Sequence, residues 1–269
     1  MARFWRAALR RAPSWDAALA LAAPLGCAGL LAEAHARTDL SDAEPPAAAA
    51  HAPLALGAGA ARRLAADGLL VVDGALSARQ LAAARRDAAA LAPRRFARAG
   101  DHGERGDRVC WVRPDDAAAG DGLLLAVAVV RGVAAALERD GYAATTRHRV
   151  PRQCQLARYD AGAKGYDRHL DRCALDVAEL GLLEWLRLSD YRGRAITAIL
   201  YLNDADWDAD RDGGALRCWK GGDHLRDVAP RGGRLVIFDA SAVEHAVLAS
   251  TAPRAALTCW VSGERAGGG

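Results

Sequence analysis

Hydrophobic positions change rhythm along this chain, and the change falls near residue 150. Before it, apolar side chains recur at the spacing of a helix with one buried face. The spacing predicts helices over 54–66, 78–91 and 123–138. In the second of these Leu81, Ala84, Ala88 and Leu91 share a face, Ser77 stands at the N-cap and Pro93 follows as a stop. One run breaks the rhythm. Leu69-Leu70-Val71-Val72, bounded by Gly68 and Gly74, has no helical period and predicts a buried strand. Residues 109–112 predict a second strand, and the polar, glycine-punctuated stretch 93–108 a loop.

From Cys154 the apolar runs shorten. Strands are predicted over 154–159, 195–202, 215–219, 235–238, 245–248 and 256–261. Asp212-Gly213-Gly214, Gly221-Gly222 and Pro230-Arg231-Gly232-Gly233 supply turns between them. Many short strands joined by tight turns predict an antiparallel sandwich or barrel, with the earlier helices flanking it. One interval does not fit. Residues 175–191, with Leu180, Leu183, Leu186 and Leu188, predict a helical insertion.

Composition narrows the function classes. The 269 residues suit one domain with an N-terminal extension, and 52% hydrophobic content is enough for a core, although much of it is alanine. Lys+Arg of 36 against Asp+Glu of 33 leaves a net charge of +3, too even to argue for a nucleic-acid partner. The six cysteines are scattered without a CxxC pair, which argues against a disulfide framework or a structural zinc site. Cys173 alone raises a question, since it is either exposed in a cleft beside Asp171 or an ordinary structural thiol.

The first residues read separately. Arg3, Arg6, Arg10 and Arg11 precede an apolar stretch over 17–32, and Ala34-His35-Ala36 follows as an A-x-A pattern. Three readings stand: a secretory signal, a transit peptide, or an Ala-rich tail without a targeting role. Pro24, Gly26 and Gly29 interrupt the stretch, which at 16 residues is short for a membrane span, so none is expected. The expected division is an extension and linker over 1–53, a helical and strand support region over 54–150, a core over 151–263, and a tail over 264–269.

The chemistry centres on His169-Leu170-Asp171. Residues i and i+2 of a strand share a face, so an imidazole and a carboxylate converge there. His245 follows on another predicted strand. Two histidines and one carboxylate form the facial triad of non-haem Fe(II) oxygenases, although the same donors also accept Zn, Co or Ni. Arg254 lies nine residues after His245, and a guanidinium binds a carboxylate through two parallel hydrogen bonds. Thr258 shares its face, and Tyr159 and Tyr201 end two other predicted strands.

In this setting the stretch 154–261 resembles the catalytic core of Fe(II)/2-oxoglutarate-dependent oxygenases, most of all the prolyl 4-hydroxylases that act on hypoxia-inducible factor. The matching pieces are Gly165 through Asp171, Arg194 through Asn203, Asp206-Trp207, Gly213 through Arg217, and Arg254 through Trp260, with Arg105 through Trp111 upstream. The resemblance implies a mainly β fold with flanking helices around a double-stranded β-helix of the jelly-roll or cupin type. It implies iron on His169, Asp171 and His245, and the distal carboxylate of 2-oxoglutarate on Arg254 and Tyr201, with Tyr159 and Thr258 nearby. Ile199, Leu216 and Trp260 would line that pocket. It further implies O2 as cosubstrate, L-ascorbate as a support of activity, and hydroxylation of a proline-containing peptide or protein with release of succinate and CO2. An intact Asp171 points to hydroxylation rather than halogenation. The resemblance implies a cytoplasmic location, a targeting N-terminus a secretory or organellar one; oligomeric state stays open.

Departures from the pattern keep alternatives in view. The interval from Asp171 to Arg194 is longer than in that family, which leaves the substrate open. The insertion is either a lid, with Leu180, Leu183 and Trp185 facing the cleft, or a surface helix packed away from it. Collagen-type prolyl hydroxylases resemble the chain less, because they carry lysine where Arg254 stands. Nucleic-acid demethylases of the superfamily carry a second arginine six residues after the first, where this chain has Trp260. Other readings are a small-molecule oxygenase and a non-catalytic cupin-like sensing module.

Overall fold

Strand β7 (Arg194–Tyr201) explains why the second half of the chain reads as short unbroken apolar runs. All of its residues are buried. Ile196, Ala198 and Leu200 enter one core, and Ile199 and Tyr201 enter another on the opposite face. A strand covered on both faces has no polar side to show. The computed structural model describes residues 54–98, 105–172 and 193–265. The N-terminal segment, the 175–191 insertion and Cys173 lie outside the described residues.

The larger sheet has eight strands, all antiparallel. Its order is β1 (Leu69–Val72), β10 (Leu235–Asp239), β7, β12 (Arg254–Arg265), β5 (Cys154–Tyr159), β3 (Asp107–Val112) and β2 (Ala97–Arg98), with β4 (Thr145–Arg149) on the far end of β12. A smaller sheet runs β6 (Tyr166–His169), β11 (Val243–Val247), β8 (Leu216–Lys220) and β9 (Asp223–Val228). The two sheets share a core in which Tyr159, Ile199, Tyr201, Phe238 and Ala256 of the larger meet Leu216, Cys218, Val243 and Val247 of the smaller. This is a mainly β fold with flanking helices, as the sequence pattern predicts, and a double-stranded β-helix, as the resemblance implies.

Helices cover the other face of the larger sheet. They are α1 (Ala60–Asp67), α2 (Ala78–Ala90), α3 (Gly120–Arg131) and α4 (Val133–Arg139). Leu123, Val127 and Val130 of α3 pack with Leu156, Leu200 and Leu257 of the sheet in the second core. Truncating one such fully buried leucine to alanine typically costs about 2–5 kcal/mol. Ser77 and Gln80 close a capping box on α2, as the N-cap position predicts. The start of α3 is capped from outside its own sequence: Asp87 of α2 accepts hydrogen bonds from the amides of Gly122 and Leu123 at 2.7 and 3.2 Å. Gly122 allows the approach, because a β-carbon there would collide with the backbone of Ala83.

Several boundaries differ from the sequence expectation, each for a local reason. The helix expected over 123–138 is two helices broken at Gly132 and bent by 41°. The helix expected over 54–66 starts only at Ala60, because Gly57 and Gly59 take left-handed conformations with φ of 84° and 69°. Strand β3 begins at Asp107, inside the stretch expected to be a loop. Strands β4 and β9 escape an apolar-run reading because they are polar and largely exposed. Charged edges of this kind discourage pairing with other chains. Among the described residues no single helix is long and apolar enough to cross a membrane.

The candidate metal and arginine motifs all follow residue 150, and the first core strand begins at Leu69. A chain beginning at Leu54 is therefore expected to melt cooperatively and to bind divalent metal as the full chain does. Calorimetric melting with and without metal checks this; a truncated chain that folds but loses metal would contradict it.

Candidate metal centre

His169 is the last residue of β6 and faces His245 of β11 across a register pair, with ring centroids 4.3 Å apart. Asp171 lies beyond the end of β6. The i, i+2 rule thus needs amendment, because a bend and not the pleat brings the carboxylate round. The larger sheet then holds it. Thr197 Oγ1 donates to Asp171 Oδ2 at 2.7 Å, Arg194 Nη1 donates to the Asp171 carbonyl at 3.4 Å, and the Arg172 amide donates to Ala240 O at 2.9 Å. Asp171 Oδ1 is 3.8 Å from His169 Nε2, and Oδ2 is 3.7 Å from His245 Nε2. One ligand atom from each of the three lies within 4.8 Å of the others, and no other group of three or more potential ligands occurs among the described residues.

The second nitrogens of the imidazoles decide what the first can do. His169 Nδ1 sits 2.7 Å from the Asp167 carbonyl, which can only accept, so the proton belongs on Nδ1 and Nε2 keeps its lone pair. Burial and the neighbouring His245 push the His169 pKa down to about 4, against the opposing pull of Asp171. For Asp171, burial alone would raise the carboxyl. His245, Arg194, His169 and the Thr197 hydrogen bond outweigh that and hold it below the usual range. At neutral pH the cluster thus offers an unprotonated His169 nitrogen and an ionised carboxylate.

The His169 shift has a sign that can be tested. Between about pH 6.5 and 4 the unfolded chain takes up a proton at His169 that the folded protein refuses. The chelator-treated protein is therefore expected to lose stability as pH falls through that window, and the slope should flatten in His169→Asn. Equal slopes in the two proteins would contradict the assignment.

A second cluster lies in the core between the sheets. Arg254, the first residue of β12, is 3% exposed. Its Nε donates to Gly214 O at 3.0 Å, and its guanidinium carbon is 5.1 Å from the ring centroids of both Tyr159 and Tyr201. No described carboxylate forms an ion pair with it, yet buried charges are rarely left without a counter-charge. The Tyr201 hydroxyl is buried and has no hydrogen-bond partner among the described residues. Burial raises Tyr201 to about 12 and raises Tyr159 as well, Arg254 opposing both, so neither phenol ionises near neutrality. Thr258 follows Arg254 along the same face of β12 and pairs with Ile199, and Ile199 and Leu216 belong to the same core.

Trp260 keeps different company. The Arg194 guanidinium lies 4.1 Å over its ring, and Trp111 is 6.1 Å away. Since Arg194 also touches Asp171, these neighbours put Trp260 on the carboxylate side of the triad. Its buried indole nitrogen has no hydrogen-bond partner among the described residues. The sequence reading assigned no role to Arg194 or Thr197. Their signal is weak, because a polar residue opening a strand or sitting inside an apolar one has many uses.

Comparison with known proteins agrees with this geometry. Residues 154–262 match the family model of the 2OG-Fe(II) oxygenase superfamily. No curated protein matches the chain in sequence. The match over residues 154–262 takes in the His-Asp-His cluster and most strands of the double-stranded β-helix, so this stretch is similar in sequence and fold to the 2OG-Fe(II) oxygenase superfamily. Within it, the similarity runs to prolyl hydroxylases. A Pseudomonas putida prolyl-4-hydroxylase is 28% identical, with a TM-score of 0.58 over 78% of this chain and 98% of that one. A Trichoplax adhaerens prolyl hydroxylase, solved with a hypoxia-inducible factor oxygen degradation domain peptide, is 21% identical, with a TM-score of 0.61 over 76% and 87%. A non-heme alpha-ketoglutarate-dependent epimerase from nogalamycin biosynthesis shares the fold at 21% identity and a TM-score of 0.52 over 78% and 85%.

Proposed function

We propose that this protein is an Fe(II)- and 2-oxoglutarate-dependent dioxygenase that hydroxylates peptidyl proline, with succinate and CO2 as coproducts. His169, Asp171 and His245 hold the iron; a mixed nitrogen and carboxylate set on one face suits Fe(II) and leaves positions open. Bound Fe(II) supplies, with O2 and 2-oxoglutarate, the oxidising power for an unactivated C–H bond. The observation that carries the reading is the buried Arg254 cation, without a carboxylate partner among the described residues, beside the buried Tyr201 hydroxyl, which has no hydrogen-bond partner among them either. A dicarboxylate cosubstrate answers both: one carboxylate meets the guanidinium fork and accepts from the phenol. Tyr159 and Thr258 flank that carboxylate, and Ile199 and Leu216 keep its surroundings dry. Trp260 stands with Arg194 beside Asp171, toward the substrate.

The chain's own residues otherwise orient and shield. Thr197 fixes the Asp171 carboxylate, Arg194 holds the Asp171 backbone carbonyl, and the Asp167 carbonyl fixes the His169 tautomer. Support for proline is the 28% identity that extends over 98% of the Pseudomonas enzyme. The fold shared with an epimerase keeps a small-molecule substrate as the second reading. A net charge of +3 gives no support for a nucleic-acid substrate.

The test is mass spectrometry of proline-containing peptides incubated with protein, Fe(II), 2-oxoglutarate, ascorbate and air. A peptide that gains one oxygen on proline, in step with succinate, is the expected result. Succinate formed with small molecules but never with a peptide would overturn the proline assignment and favour the second reading.

A further inference from the structure

We propose that Arg105 is a positioning residue for His169, acting through Tyr166. The three flat groups form a row. The Arg105 guanidinium carbon lies 4.4 Å over the Tyr166 ring, and the Tyr166 ring stacks on the His169 imidazole with centroids 3.9 Å apart and planes inclined by 29°. The guanidinium is itself locked in place. Its Nε and Nη2 donate to the two oxygens of Asp107 at 3.0 and 2.7 Å, and Nη2 also donates to Gln155 Oε1 at 3.3 Å. Asp107 is 3% exposed and opens β3, so the pair is built on the larger sheet. The backbone repeats the connection: Arg105 bridges to Tyr166, and the Gly106 amide donates to Gly165 O at 2.8 Å. Gly165, at φ 93°, packs where a β-carbon would overlap the Val247 carbonyl, so β6 and β11 are also in close contact.

The consequence concerns a single torsion. The Asp167 carbonyl holds one atom of the His169 ring, which leaves the ring free to swing about that hydrogen bond. A stacked face removes the freedom, and Tyr166 supplies that face. Tyr166 is only half-buried, and the cation over its ring keeps it in place. Outer partners of this kind orient metal ligands, and their loss costs about 10- to 100-fold in metal affinity. A merely structural account of Arg105 is that it neutralises the buried Asp107. The two accounts part when both charges are removed together, since Arg105→Gln with Asp107→Asn keeps a hydrogen-bonded pair but deletes the cation.

The inference rests on the reading of His169 as a metal ligand, and the experiment separates the two. The full chain is titrated with Co(II) in place of Fe(II), and the visible d–d absorption, the dissociation constant and the melting of the metal-free form are recorded. Arg105→Gln/Asp107→Asn and Tyr166→Leu are expected to shift the absorption and weaken Co(II) about tenfold. Tyr166→Phe, which keeps the ring, should match the parent, as should Arg108→Ala on the exposed side of β3. Parent-like absorption and affinity in both the double variant and Tyr166→Leu would overturn the inference. Should the double variant fail to fold, Tyr166→Leu decides alone. Parent-like Co(II) binding in His169→Ala would overturn the ligand assignment itself, and the inference with it.

Discussion

His245→Ala is expected to bind Fe(II) at least a hundredfold more weakly than the parent and to lose 2-oxoglutarate turnover. Metal sites with four protein ligands gain roughly 10–16 kcal/mol in all, so one ligand is worth about 3 kcal/mol, on the order of a hundredfold. A triad has less to spare than a four-ligand site. His245 is buried against Phe238, with ring centroids 4.8 Å apart, so the alanine also leaves a gap. Melting of the metal-free variant separates that cost from the metal effect, and His245→Asn fills most of the space while withdrawing the imidazole. His169→Ala should behave alike. Asp171→Ala should be nearly as severe and should also cost stability, because Thr197 loses its acceptor and Arg194 loses a carboxylate 3.9 Å away. Metal content after gel filtration with Fe(II) reads the outcome. Parent-like retention by His245→Ala would remove this histidine from the site.

The second large effect is expected at Arg254. Arg254→Lys keeps the charge but replaces a planar fork with a single ammonium. The 2-oxoglutarate KM should rise steeply while Fe(II) affinity stays near the parent value. Losing one partner of a buried, hydrogen-bonded charge pair costs about 2–5 kcal/mol, or roughly 30- to 4,000-fold in binding. Lysine also forfeits the hydrogen bond to Gly214 O and the contact with the two tyrosine rings. Tyr201→Phe should produce a smaller rise, because it removes one neutral donor. An unchanged KM in Arg254→Lys would take this residue out of the cosubstrate pocket.

Much of the fold was legible because its signals are local. The β7 run, the Leu69–Val72 run and the Ser77 cap each follow from a few adjacent residues, and each stands where expected. What was missed depends on partners distant in sequence. Asp87 caps α3 from another helix, and Gly132 breaks an apolar period that otherwise continues through 123–138. Polar β4 and β9 earn their places only by pairing with β12 and β8. The same division holds at the candidate site. His169, Asp171 and His245 stand together; Tyr159, Tyr201, Ile199 and Leu216 share one core, with Arg254 beside the two tyrosine rings and Thr258 paired with Ile199. Thr197, Arg194 and the Arg105–Asp107 pair were not assigned, because a residue that acts through another leaves no spacing of its own to read.

The central claim is that this domain couples 2-oxoglutarate to O2 at an iron held by His169, Asp171 and His245. The most direct measurement is succinate release by the metal-stripped protein reloaded with Fe(II), in air and under nitrogen, beside the His169→Ala/His245→Ala double variant. The account predicts succinate only when Fe(II), 2-oxoglutarate and O2 are all present, and none from the double variant. Equal succinate from the parent and the double variant, or none from a parent shown to hold Fe(II), would contradict it.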